Sequence, residues 1–370
     1  MLSRYGTYYP PKSFILQLFL TNRCNLTCKH CYDYHSKLEA PSLKTIISII
    51  ERCKQGVCAK GKKSFFVLSG GEPLLFPHLN QILKYLDESY QSGETLGCAI
   101  TTNGTLITEA DAKNLAKHNS LQGVQISIDG ISKEIHEKIR GPNSYDRAII
   151  GANLLRDAGI PITLSFTLNS LNAHECLDTL QFAYHHQFSN LGITRVIPSS
   201  EQQYLELPAN EIIDLYRGLI KKQTQILDLD SSLKPILSAF RCDWPLIYWN
   251  DQLQPQKVYN YNGATCQAGK TTLGLLLDGT VYPCSRLPLP IGNILEEDFK
   301  SIMASSLIQR LSMRKQYIEG KCSQCKFITK AYLKGLCEGG AACLAYAAHD
   351  NPFMPDPHCV YNPEEEIIDI

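Results

Sequence analysis

Neither sign of charge is in excess. Lys and Arg number 36 and Asp and Glu number 36, a formal net charge of zero, so no basic field exists to gather phosphate backbones and nucleic-acid binding is not expected. Long apolar runs are missing too. The cleanest near the start, residues 14–20, is interrupted by Gln17 and is far too short to cross a bilayer or act as the apolar core of a signal peptide. There is no low-complexity tract and no internal repeat beyond the strand–helix period described below. These absences predict a soluble, cytoplasmic protein that engages neither membrane nor nucleic acid. Hydrophobic residues make up 44% of the 370, which excludes intrinsic disorder and suffices for two or three domains. Cysteine, at 15 residues, is the anomaly, and in a reducing compartment regularly spaced thiolates point to metal rather than disulfides.

Six short β-rich runs, at 14–20, 64–68, 97–101, 123–128, 161–168 and 191–197, are separated by segments long enough for one helix each. Leu79, Ile82, Leu83 and Leu86 recur at helical period, as do Ile212, Leu215, Tyr216 and Leu219, while Thr108 and Asp111 match a capping box. Polar or glycine-rich punctuation follows nearly every strand. The expected fold is therefore α/β, a partial (β/α)6 barrel whose site gathers at the strand C-termini. The expected division is a barrel over 1–215, an aromatic, Gln- and Pro-rich bridge over 216–265, and a small cysteine-rich domain over 266–370 that needs metal to hold together.

Cys24, Cys28 and Cys31 form C-x3-C-x2-C directly after the first strand. At this cysteine frequency the pattern should arise by chance only about 0.02 times over the chain. A closed zinc site wants four ligands and no fourth cysteine is near, whereas a cubane held by three thiolates leaves one iron open to an external ligand. With its loop reading TNRCNLTCKHCY, the chain resembles the radical S-adenosylmethionine (SAM) superfamily. The resemblance implies a 4Fe-4S cluster on the three cysteines, whose open iron chelates the methionine part of SAM and whose electron releases a deoxyadenosyl radical. It also implies His30 against the adenine, Gly70, Gly71 and Glu72 of the GGEP sequence near the methionine amino group, and Ser127 and Arg140 on the methionine carboxylate. Asn103 and Asn169 resemble positions near ribose or substrate. Read without the resemblance, Asp129-Gly130 is an ordinary turn and Arg140 a solvated charge at a helix end.

Toward the C-terminus, Cys266, Gly279 and Cys284 form C-x12-G-x4-C, and DPHC ends in Cys359. This resembles the SPASM extension, whose seven cysteines bind two auxiliary clusters. The family's C-x2-C-x5-C-x3-C becomes C-x2-C-x11-C-x5-C from Cys322 to Cys343, lengthening two loops. The resemblance implies one auxiliary cluster on Cys266, Cys284 and Cys343, with Cys242 as a possible fourth ligand, and another on Cys322, Cys325, Cys337 and Cys359. A zinc ribbon on Cys322 and Cys325 is the alternative. Cys53, Cys58, Cys98 and Cys176 read as small buried hydrophobes.

By analogy with proteins of this architecture, the expected function is hydrogen abstraction that crosslinks or oxidises a ribosomally made peptide. The alternatives are a small-molecule or tetrapyrrole substrate and, in another class, a non-catalytic iron-sulfur or zinc scaffold. The chain resembles anaerobic sulfatase-maturating enzymes, but where they carry an Asp base after the VYPC cysteine it has Ser285 and Arg286, which disfavours that activity. Only about thirteen residues precede the first strand, so a peptide is expected to need a separate leader-binding protein or to dock directly, and an electron donor such as flavodoxin or ferredoxin is implied. Tyr32, Asp33, Tyr34 and His35 could line the mouth. No general acid or base is assigned.

Overall fold

The computed structural model describes residues 13–31, 40–237, 266–329 and 337–363. Residues 32–35 of the expected mouth, Cys242 and most of the bridge lie outside them. Six parallel strands form in chain order: β1 (Ser13–Phe19), β2 (Lys63–Ser69), β3 (Thr95–Thr102), β4 (Leu121–Ser127), β5 (Ile162–Leu168) and β6 (Asn190–Arg195). Their spatial order, β6-β5-β4-β3-β2-β1, never reverses, so every crossover advances in one direction, as in a barrel and unlike a doubly wound sheet. β6 does not pair back onto β1, and the barrel stays partial.

The helices between them are α1 (Leu43–Ala59), α2 (Leu79–Gln91), α3 (Glu109–Leu115), α4 (Lys133–Arg140), α5 (Tyr145–Asp157) and α6 (Asp178–His185). α2 buries Leu79, Ile82, Leu83 and Leu86, the stripe its period marked. Thr108 caps α3 through the reciprocal hydrogen bonds with Asp111. α7 (Ala209–Leu229) runs across the boundary expected at residue 215.

One strand face, including Leu16, Leu18, Phe66, Leu68, Ile100, Ile126 and Leu164, packs under the helices as the main core. On the other face Ile15, Phe65, Val67, Leu96 and Ala99 plug the N-terminal end of the curved sheet. Toward the strand C-termini that inner face turns polar. Three of the four cysteines read as buried hydrophobes are buried, but Cys58 is exposed. It lies five residues beyond Cys53, about 140° around a helix at 3.6 residues per turn, and so faces solvent.

From Cys266 the chain re-enters the same sheet. β7 (Thr272–Leu275) lies parallel to β1, and β8 (Thr280–Tyr282) and β9 (Gly292–Asn293) follow antiparallel. Leu273, Leu275, Val281, Phe299 and Ile302 join the main core, with Phe299 edge-on to Phe14 at 5.9 Å. Among the described residues no helix is long and apolar enough to cross a membrane.

Candidate active site

A cavity of about 410 Å³ opens at the strand C-termini. Its floor consists of inward side chains of the six strands: Gln17 with Phe19, Ser69, Thr101, Gln125 with Ser127, Ser165 with Thr167, and Thr194. The register pairs Ser127 with Ser165 and Thr167 with Thr194, so these groups sit side by side. No Asp or Glu lines the cavity among the described residues, whereas Arg140, Arg195 and Arg286 do.

The cysteine loop forms one wall. It is laced to the loop after β2, where Gly71 N donates to Thr21 O at 2.7 Å and Glu72 N to Arg23 O at 2.8 Å. Such close backbone approach is what the two glycines permit: a Cβ on Gly70, whose φ is +132°, would stand 2.4 Å from Thr21 O, and one on Gly71 2.3 Å from Arg23 O. Lys29 N donates to Ile139 O at 2.8 Å, and Gln202 Nε2 donates to Lys29 O at 2.8 Å and Cys31 O at 3.2 Å. Cys24, Cys28 and Cys31 all line the cavity. Burial pushes the Cys28 thiol above its ordinary value while Arg140 pulls it down from 3.8 Å.

Asp129 holds the opposite side. Its buried Oδ2 meets His30 Nε2 and Arg140 Nε, each at 2.5 Å, and its Oδ1 accepts from Thr167 N at 2.7 Å. Burial alone would raise its pKa, yet Arg140 and His30 hold the carboxyl well below the usual carboxylate range. Burial and Arg140 pull His136 down to about 4, and this neutral ring accepts from Asp129 N through Nδ1. Asp129 therefore orients the two groups expected on adenine and carboxylate, a role that an Asp-Gly turn conceals in the sequence. The signal available was its position between Ser127 and Arg140, both already marked.

His30, Gly70, Gly71, Asn103, Ser127 and Arg140 all line the cavity. Glu72 is fully buried behind it and does not line it. Its Oε1 accepts from Thr102 Oγ1 at 2.7 Å and Leu74 N at 3.1 Å, and its Oε2 from Asn103 N at 2.8 Å. In this arrangement Glu72 braces the loops after β2 and β3 rather than facing a ligand, and Asn103 in turn reaches Asn25 Oδ1 at 2.9 Å. Asn169 is likewise buried away from the cavity, where its amide donates to Thr167 O and accepts from Leu171 N in a local turn.

The C-terminal thiols gather as two groups. Cys266, Cys284 and Cys343 pack around one small apolar cluster, and burial with the neighbouring thiols pushes Cys343 up to about 12 against the pull of Arg286 and Arg195. Burial and the neighbouring Cys337, Cys359 and Cys325 push Cys322 up to about 12. Among the described residues no three His, Cys, Asp or Glu side chains gather closely enough to bind a single metal ion. A cubane, whose irons and sulfides alternate at its corners, binds each thiolate through a different iron and so takes thiolates set wider apart than the ligands of one ion. The donor set thus fits iron-sulfur clusters: three thiols at the cavity with no fourth lining it among the described residues, and two further groups beyond it.

Residues 18–183 match the model of the radical SAM superfamily, and residues 266–326 that of SPASM, an iron-sulfur cluster-binding domain. The chain is a radical SAM enzyme with a SPASM domain. Its cofactors are SAM, a 4Fe-4S cluster and auxiliary iron-sulfur clusters. The radical SAM chain is 28% identical over 353 residues to the AdoMet-dependent heme synthase of Methanosarcina barkeri, covering 93% of this chain and 95% of that one. It is 26% identical over 362 residues to the mycofactocin maturase of Mycobacterium tuberculosis, covering 94% and 82%. A solved structure of anSMEcpe with bound AdoMet superposes with a TM-score of 0.72 at 20% identity over 94% of this chain and 91% of that one, a likeness of fold. Ser285, at the position singled out against sulfatase maturation, donates to Gln17 Oε1 at 2.6 Å on the cavity wall.

Proposed function

We propose that this radical SAM enzyme oxidises or crosslinks a ribosomally made peptide. The uncharged hydrogen-bonding groups of the cavity carry the reading: Gln17, Gln125, Ser165, Thr167, Thr194 and Ser285 are donors and acceptors suited to amide groups, and Phe19, Leu26 and Ile197 beside them give apolar surface for a side chain. When bound, cluster and SAM supply one electron to the sulfonium and a carbon radical that takes a hydrogen atom from the substrate. Cys24, Cys28 and Cys31 would hold that cluster. Arg140, held at Nε by Asp129 and with Nη1 against Cys28 Sγ, turns its Nη2 side to a carboxylate in the cavity. Gly70 and Gly71 keep the backbone close enough to enclose the methionine portion, with Ser127 and Asn103 beside it. Cys266, Cys284 and Cys343, and Cys322, Cys325, Cys337 and Cys359, would hold the auxiliary clusters. A small electron carrier such as flavodoxin or ferredoxin would reduce the enzyme, a separate leader-binding protein would present the peptide, and free thiols at this density suit the cytoplasm.

A tetrapyrrole substrate is the second reading, favoured by the full-length relation to a heme synthase. The test is anaerobic turnover with SAM and dithionite, offering in parallel any small peptide encoded beside the gene and iron coproporphyrin. Deoxyadenosine together with a mass change in the peptide supports the first reading. Conversion of the porphyrin with an unchanged peptide would replace it with the second.

A further inference from the structure

The two glutamines on the cavity floor differ in what they hold. Gln17 of β1 is committed at both ends: its Nε2 donates to Ser69 Oγ at 3.2 Å and its Oε1 accepts from Ser285 Oγ at 2.6 Å. Gln125 of β4 lines the same cavity and is only 4% exposed, yet its buried Oε1 has no hydrogen-bond partner among the described residues. Val124 and Ile126 on either side of it pack into the main core under the helices, so strand alternation turns Gln125 inward. Thr101 of β3 and Thr163 of β5 stand directly across from it in register, and neither satisfies that oxygen. Ala99, two residues before Thr101, belongs to the apolar plug, which puts Gln125 where the inner face turns from apolar to polar. Ser127 follows two residues on, about 7 Å nearer the mouth.

Leaving a buried amide oxygen unpaired is destabilising, and the great majority of buried polar side chains are paired. A methionine or leucine would fill the same space without that cost and continue the plug by one layer. The fold therefore does not call for a carboxamide at this position, whereas a ligand entering the cavity does. A carboxamide carries one acceptor and two donors, and half a turn about its last torsion exchanges them. That set is complementary to another amide, donor to acceptor and acceptor to donor, whereas a carboxylate would use only its donors. We propose that Gln125 is a specificity-determining residue: its carboxamide hydrogen-bonds an amide of the bound peptide, from the backbone or from an Asn or Gln side chain, and so fixes which residue lies at the inner end of the cavity. The inference rests on the peptide reading above and deepens it by naming the group that reads the substrate. A site built to pair with an amide rejects a residue that leaves its own polar group unpaired.

The full chain is reconstituted with iron and sulfide and assayed anaerobically with SAM, dithionite and a small peptide encoded beside the gene, the modified peptide being measured by mass spectrometry. Gln125→Met, close in shape but without hydrogen-bonding groups, is expected to raise KM for the peptide about tenfold or more, the loss of a hydrogen bond at a buried site. Its SAM affinity in equilibrium dialysis is expected to stay within about twofold of the parent's. The urea midpoint of its metal-free form is expected at or above the parent's, because no bond within the protein is lost. Should Gln125→Met fail to fold, Gln125→Asn, whose carboxamide sits one methylene further back, decides by the same comparison of KM. A KM within about twofold of the parent's at full iron content overturns the inference. So does a SAM affinity that falls as far as KM rises, which would put Gln125 on the cofactor. A parent that leaves the peptide unchanged overturns the peptide reading and the inference with it, so the parent's own turnover tells the two failures apart.

Discussion

Replacing Asp129 with asparagine removes a charge and almost no volume, which isolates the electrostatic role of that residue. In the native arrangement one carboxylate receives His30, Arg140 and Thr167 N, all within 2.7 Å. Asparagine offers one oxygen and one amide, so whichever way it turns a donor faces a donor. Arg140, only 7% exposed, becomes a buried cation whose charge lacks that carboxylate. Removing one partner of a buried pair costs about 3–5 kcal/mol. Urea unfolding of the metal-free chain should therefore register a loss of about 3 kcal/mol. The anaerobic enzyme should bind SAM at least about tenfold more weakly, because each 1.4 kcal/mol is a factor of ten. Adding Arg140→Gln should restore part of the stability, with a coupling energy above about 1 kcal/mol. A stability loss below about 1 kcal/mol with unchanged SAM affinity would refute the account of Asp129 as the organiser of this wall.

Cys28→Ala should abolish deoxyadenosine formation while leaving about eight of about twelve irons per reconstituted chain, read by iron assay and product chromatography. Gly71→Ala, whose Cβ would meet Arg23 O at 2.3 Å, should displace the cysteine loop and weaken SAM binding about tenfold or more in equilibrium dialysis. Burial opposes ionisation of Asp356, but Arg195 holds its carboxyl down to about 2 from an ordinary 3.8, so its contribution of roughly 2 kcal/mol is complete above about pH 5 and lost as pH falls through about 2. Urea midpoints should accordingly drop through that window in the wild type, and an Arg195→Gln, Asp356→Asn pair should flatten the drop. Cys58→Ser should change stability by less than about 0.5 kcal/mol by the same measure, whereas Cys98→Ser, placing a hydroxyl where a thiol is buried, should cost more.

The strands were legible because a parallel sheet under helices writes itself as short β-rich runs, and their observed ends differ from expectation by no more than two residues. The cavity's cysteine and glycine loops were legible for a different reason: spacing within one loop is local information. What stayed hidden was non-local. Asp129 reads as turn chemistry until its partners from β5, α4 and the cysteine loop are placed around it. In DPHC only the cysteine stood out, because an Asp-Pro pair is ordinary turn material and its partner Arg195 lies 161 residues away. β7 carries only four residues, and its apolar pair Leu273 and Leu275 finds its core partners in the first half of the chain, so local composition suggested a segment without much core of its own.

That short strand has a consequence for how the chain is made. Ile15 of β1 pairs with Thr272 of β7 across roughly 250 residues, whereas each barrel strand meets its predecessor across about 50 residues or fewer. During synthesis at about 5–20 residues per second, the six-stranded sheet can assemble while its β1 edge stays open for ten seconds or more, a free template for other strands. The C-terminal segment acts first as the cap of that edge, and only once it has docked do its thiols come to stand at the mouth of the barrel.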